Sequence, residues 1–164
     1  QIKEKIYFMN NAIFVLIILL NLNVEVIADE IYGYPLVTDG DTVKILGNRI
    51  RLHGIDAPEK KQKCVKNFKE YSCGEVSTNA LIEKIDKKVV KCLVEKKKDR
   101  YGRFIGVCFV KQENLNKWMV RNGHAVAYRR YSEDYILDEK FAKTRKLGLW
   151  SGTFLEPKKW RKLN

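Results

Sequence analysis

The chain has 164 residues, 45% of them hydrophobic, enough for one folded domain with a proper core and a short appendage. Thirty-two Lys and Arg against 20 Asp and Glu give a formal net charge of +12, a balance that favours a polyanion, nucleic acid or an acidic membrane surface, as partner. No internal repeat and no low-complexity linker is present, which excludes a solenoid or a string of domains.

Residues 12–20 (AIFVLIILL) are continuously apolar, follow Lys3 and Lys5, and give way to Asn21 and Asn23. A membrane-spanning helix needs about 20 apolar residues, so this run is short for an anchor and suits the core of a signal peptide. Small residues up to Ala28 offer cleavage before Asp29, so residues 1–28 read as a signal peptide or, as the alternative, an N-terminal anchor. Residues 29–164 are then the working domain, secreted or periplasmic, or membrane-anchored and facing outside the cytoplasm. Lys3 and Lys5 are offset by Glu4 and Glu25, so the whole positive excess belongs to that domain. Four cysteines, Cys64, Cys73, Cys92 and Cys108, fit an oxidising compartment because an even count can pair completely. Their spacing contains no C-x-x-C, which argues against zinc.

Residues 31–38 read as a first strand, made irregular by Gly33 and Pro35. Residues 42–46 and 49–55 are two more strands, joined by a Gly47-Asn48 hairpin turn. A hairpin brings its ends together, so Asp41 and Asp56 meet at one sheet edge, with Arg51 between them and Glu59 close by. Pro58 fixes the turn that carries the Ala57 carbonyl and the Glu59 side chain, and hard oxygen donors on rigid backbone suit Ca2+ or Mg2+.

Residues 60–71 carry many lysines without an apolar period and read as a loop. Ser72 and Glu75 form a capping box before a helix over 74–86. Residues 88–95 and 103–111 pair as an antiparallel hairpin across the charged 96–102 connection, which leads into D-R-Y-G-R at 99–103. That hairpin sets Cys92 level with Cys108, while Cys64 with Cys73 closes a short loop beside the carboxylates; each bridge stabilises by about 3 kcal/mol on chain-entropy grounds. Asn114 caps a helix over 115–122 that stops at Gly123, and 125–128 form a small strand. Ser132 caps a third helix that ends before Gly148, Trp150 and Phe154 pack back on the domain, and 158–162 (KKWRK) is a basic end. Five strands and three helices predict an α+β domain on a closed, five-stranded OB-fold β-barrel.

D-G-D-T at 39–42, R-L-x-G-I-D-A-P-E at 51–59, D-R-Y-G-R at 99–103 and G-L-W-S at 148–151 together resemble the staphylococcal nuclease, or thermonuclease-like, family, with order and spacing held over about residues 34 to 152. The resemblance implies a five-stranded OB-fold barrel with three α-helices and a Ca2+-dependent phosphodiesterase that cuts DNA and RNA, with no protein partner and as a monomer. It implies Asp41 and Asp56 as calcium ligands through their carboxylates and Ala57 through its carbonyl. Glu59 would position or deprotonate the attacking water, Arg51 and Arg103 would grip the scissile phosphate, and Tyr101 and Tyr128 would flank the nucleotide. Ala57 stands where the founding nuclease has a metal-binding threonine, and the loop 129–134 differs in length from the family's.

The chemistry asks for these residue types independently. Attack on a phosphodiester adds charge to oxygens already negative, so a cation and two guanidiniums aimed at them lower the barrier. Arg serves better than Lys because its planar fork binds two phosphate oxygens at once. The alternative is a non-catalytic OB-fold nucleic-acid-binding module tethered to the membrane, since OB folds often hold single strands by stacking and charge. Loss of catalysis should erase the acidic and arginine set, and here all five positions are filled. His53 and His124 share no metal-ligand spacing and read as surface or core-edge residues.

The exported protein is expected to begin at Asp29. Mass spectrometry of the exported species checks this, and a mature chain retaining residues 12–28 would favour the tether.

Overall fold

The computed structural model describes residues 29–164, so the expected signal peptide or anchor lies outside the described residues. The segment read as one irregular strand is two, β1 (Asp29–Gly33) and β2 (Leu36–Asp39). Between them Pro35, lacking an N–H, cannot enter a ladder, and the chain bends. β2 pairs with β3 (Thr42–Ile45), and β3 with β4 (Asn48–Leu52), both antiparallel. β4 runs parallel to β9 (Phe104–Val110), which pairs antiparallel with β8 (Val90–Val94) and with the two-residue β10 (Glu113–Asn114), and β8 pairs with β1. The bent N-terminal segment therefore stands at both ends of the path β1-β8-β9-β4-β3-β2 and curls the sheet upon itself. This is the OB-type α+β fold expected from the sequence.

Alternation fills the barrel: Val43 and Ile45 on β3, Ile50 and Leu52 on β4, and Val90, Val94 and Val110 opposite are buried. Helix α1 (Cys73–Ile85) closes it with Leu81 and Ile85, and α2 (Leu115–Arg121) with Leu115, Met119 and Val120. Asn114 caps α2 as expected, accepting from the Lys117 N–H at 2.9 Å. Both expected disulfides are present, Cys92–Cys108 across β8 and β9 and Cys64–Cys73 at the start of α1.

Several local expectations are corrected. The β3–β4 turn is Leu46-Gly47, not Gly47-Asn48: these two residues take the consecutive positive φ values, 48° and 84°, that a tight hairpin needs, and Asn48 pairs with Ile45. The lysine-rich 60–71 stretch holds a hairpin, β6 (Cys64–Lys66) and β7 (Lys69–Tyr71), tied down by the Cys64–Cys73 bridge and by pairing of Val65 with Thr153. Its strands are three residues long and mostly exposed, so no apolar alternation could announce them. Ser72 does not form a capping box; its hydroxyl accepts from Lys63 at 2.6 Å. Ser132 likewise closes a local turn with the Asp134 N–H, and α3 (Ile136–Thr144) begins four residues later. The basic end is itself a helix, α4 (Pro157–Leu163), which makes four α-helices among the described residues rather than three. None of those helices is long and apolar enough to cross a membrane.

Asn116, wholly buried on α2, bolts that helix to the barrel. Its amide donates to the His53 and Gly106 carbonyls at 2.9 and 3.2 Å, and its oxygen accepts from the Cys108 N–H at 3.0 Å. Asn116→Leu keeps the volume and strands the buried Cys108 N–H, so it should cost about 2–4 kcal/mol in urea unfolding. A cost below about 1 kcal/mol would mean the bolt is dispensable.

Candidate active site

The β3–β4 register sets Arg51 opposite Thr42, beside Asp41 at the strand entrance. Two short strands, β5 (Ile55–Asp56) and β11 (Val126–Ala127), pair Asp56 with Val126 and hold it at the same edge. Arg51 bridges the two aspartates: Nη1 donates to Asp41 Oδ1 at 2.5 Å and Nη2 to Asp56 Oδ1 at 2.9 Å. Asp41 also accepts from the Thr42 hydroxyl at Oδ1 and from the Ala57 N–H at Oδ2, 3.0 and 3.1 Å away. Both carboxylates are almost wholly buried, 4% and 1% exposed. The turn fits so closely that a Cβ on Gly40 would lie 2.1 Å from Ser77 Oγ of α1.

Glu59 stands at the open side of this pair. Buried Gln62 holds its turn, accepting from the Glu59 N–H at 3.2 Å and donating to the Leu155 carbonyl at 2.6 Å. A second guanidinium, that of Arg161 on α4, completes the group. Its Nη1 donates to Asp56 Oδ1 and Glu59 Oε1 at 2.9 and 2.8 Å, and its Nη2 to Asp56 Oδ2 at 3.0 Å. The three expected carboxylates thus meet through arginines, in the order Asp41, Arg51, Asp56, Arg161, Glu59. The sequence marks Arg161 only as part of a basic end and does not single out Gln62. Neither belongs to a local motif, and a lone Arg in a basic tail carries no signal of its partner.

Arg103 precedes β9, where Ile105 is level with Arg51, so Arg103 lies two residues along on the same face. It is not bonded to Asp41 or Asp56. Asp99 takes its Nε and Nη2 at 2.9 and 2.8 Å, and the same carboxylate caps the Tyr101 and Arg103 N–H groups, fixing the D-R-Y-G-R turn. Tyr101 is 58% exposed, with the Arg100 and Arg103 guanidiniums 4.8 and 5.2 Å from its ring centre. Tyr128 follows β11, donates its N–H to the Gly54 carbonyl and packs edge-on against Tyr131. Beneath it, buried Glu139 accepts from the Ala127 N–H and from Arg129 and Lys143, anchoring β11 to α3. His53 and His124 take no part: His124 stacks on Trp118, and burial pushes its pKa down.

Among the described residues no three His, Cys, Asp or Glu side chains converge on a single metal-binding point. The donor chemistry nevertheless fits a hard cation. Asp41 Oδ2 and Asp56 Oδ2 each accept one hydrogen bond and retain a second lone pair. Burial pushes the Asp56 carboxyl up, against the pull of Arg161 and Arg51. Burial works against the Arg161 charge, but its bonds to Asp56 and Glu59 prevail and raise its pKa. The site is therefore one in which negative charge is costly and is compensated by whatever cation is at hand.

Residues 49–152 match the model of the staphylococcal nuclease homologue family. The chain is 37% identical over 134 residues to an uncharacterized endonuclease of Haemophilus influenzae, covering 77% of this chain and 70% of that protein. It is 35% identical over 144 residues to the micrococcal nuclease of Shigella flexneri, covering 77% of each. It is also 35% identical over 127 residues to the succinoglycan biosynthesis protein ExoI of Rhizobium meliloti, covering 75% of this chain and 66% of that one.

Asp39 gives the site a pH signature. Burial, and then the neighbouring Asp41 carboxylate, push its pKa up to about 6. An unfolded Asp titrates at about 3.9, so the folded state holds the extra proton and stability falls as pH rises from about 4 to about 6. Asp39→Asn should lessen the drop in urea midpoint between about pH 4.5 and about pH 7, measured in chelator. An identical drop in both proteins would show that Asp39 titrates normally.

Proposed function

The chain belongs to the staphylococcal nuclease homologue family, and on that premise we propose that it is a secreted or periplasmic Ca2+-dependent endonuclease hydrolysing phosphodiester bonds of DNA and RNA. The observation that carries this reading is the buried Asp41–Arg51–Asp56 group with Glu59 at its open side. The net charge of +12 suits a nucleic-acid substrate, and the two disulfides suit an oxidising compartment. Residues 1–28 remain, in this proposal, the signal peptide or tether ahead of the nuclease domain, which acts as a monomer.

Asp41, Asp56 and the Ala57 carbonyl would hold the calcium, which when bound supplies a Lewis acid for the phosphoryl oxygen. Glu59, half-exposed, can reach water from the open side and take its proton. The aspartates and the Ile55 carbonyl hold the Arg51 guanidinium in one plane and take both Nη2 hydrogens and one of Nη1, leaving its Nε and second Nη1 hydrogen for phosphate oxygens as charge builds on them. Asp99 does the same for Arg103 and leaves its Nη1 to the substrate. Exposed Tyr101, braced by two guanidiniums, and Tyr128 would flank the nucleotide.

Three variants separate these roles. Arg103→Ala should lower kcat by about 100-fold or more with calcium affinity little changed, because the contact strengthens in the transition state. Asp41→Ala should weaken calcium binding in calorimetric titration, by removal of a hard donor. Glu59→Gln should bind DNA normally and lose most cleavage, since an amide holds a water but cannot accept its proton. Near-wild-type plasmid cleavage by all three would leave the non-catalytic binding module as the better reading.

A further inference from the structure

Residues 158–162 read in the sequence only as a basic end, yet the fold delivers one of them into the carboxylate group. The contact spans 105 residues, so it depends on how the C-terminal segment is fastened. Three fastenings fix that segment. Thr153 pairs with Val65 of β6, the Leu155 carbonyl accepts from Gln62, and buried Pro157 starts α4. Pro at the first helical position is preorganised for that start, and Arg161 lies four residues on, one turn along the same face. Gln62 is the shared member, because its oxygen holds the Glu59 N–H while its amide holds Leu155. One wholly buried side chain therefore sets both Glu59 and the segment that carries Arg161.

The chemistry at the end of this linkage is specific to a guanidinium. Nη1 serves Asp56 and Glu59 together while Nη2 takes the second Asp56 oxygen, a planar fork that an ammonium cannot reproduce. Glu59 has about a third of its side chain exposed and would otherwise swing into solvent. With Oε1 held by Arg161, Oε2 is left to face water. Resting on the nuclease reading above, we propose that Arg161 is a positioning residue of the reaction, which holds the Glu59 carboxylate against Asp56 in the orientation that receives the proton of the attacking water.

The test uses the mature chain with Arg161→Ala and Arg161→Lys, an oligonucleotide substrate, and calorimetric calcium titration of each protein. One charge-assisted hydrogen bond accounts for about a 10- to 100-fold effect, so kcat of Arg161→Ala should fall by that factor with KM changed by less than about threefold. Arg161→Lys keeps the charge without the fork and should recover only a small part. Free guanidinium should restore turnover to Arg161→Ala and leave wild type unaffected, which loss of a merely structural contact would not produce. Calcium affinity should not fall, because Arg161 supplies no metal ligand and its removal takes a cation off Asp56, so the loss of kcat is not a loss of metal.

Unchanged kcat in Arg161→Ala overturns the proposal while the nuclease reading stands. Faster cleavage with tighter calcium binding also overturns it, and makes Arg161 a plug that competes with the cation. Wild-type protein that cleaves nothing in calcium overturns the nuclease reading, and this inference with it. Circular dichroism melting controls for folding, and should Arg161→Ala unfold, the kcat of Arg161→Lys decides alone.

Discussion

Two carboxylates less than 5% exposed, bridged by one arginine, set the conditions for everything around them. An unpaired buried carboxylate is untenable at neutral pH, and breaking such a pair by removing one partner costs about 3–5 kcal/mol. Arg51 meets this need only because it sits within the barrel wall. Its strand pairs antiparallel with β3, which Asp41 immediately precedes, and parallel with β9, which Arg103 immediately precedes. A flexible loop holding the same three residues would lose the arrangement to side-chain entropy. The barrel closure through the bent N-terminal segment thus has a chemical consequence: it keeps this edge rigid.

Arg51 alone leaves the site short of positive charge, and the fold adds more from a distance. Arg161 arrives from the last helix, and the bonds of both guanidiniums to the aspartates prevail over the burial that opposes their charge. Each aspartate still keeps one oxygen with spare acceptor capacity, so the site is compensated without being saturated. The supporting bonds follow the same logic. Gln62 ties the Glu59 turn to the C-terminal segment, Arg51 donates to the Ile55 carbonyl of β5, and Glu139 ties β11 to α3, so that neither short strand at the site relies on its own two-residue ladder.

What the sequence discloses is what is local or periodic. The β3–β4 hairpin, the facing Cys92 and Cys108, the Asn114 cap and the D-R-Y-G-R turn each depend on residues a few positions apart, or on simple alternation, and all are present. Ser72 and Ser132 mislead for a reason that also belongs to local chemistry: a serine hydroxyl has several nearby partners, and Lys63 and the Asp134 N–H take them. The 60–71 hairpin is hidden because its order comes from a disulfide and from pairing with Thr153 rather than from its own side chains. Gln62, Arg161 and Glu139 are hidden most deeply. A polar residue in a polar stretch declares nothing until the fold supplies its partners.

The charge distribution follows from combining these features. A chain of net charge +12 attracts a polyanion at long range, yet its most rigid edge gathers Asp39, Asp41, Asp56 and Glu59. Phosphate would be repelled from such a group if the carboxylates faced it bare. The arginines resolve the conflict because each occupies the carboxylates while its planar edge retains directional donors, which a diffuse lysine surface does not provide. Lysines instead populate the surroundings, at positions 60, 61, 63, 66 and 69 on and before the β6–β7 hairpin, whose tip exposes Phe68 completely. Long-range attraction and short-range orientation are thus assigned to different cations, and only the second kind has to be held by the fold.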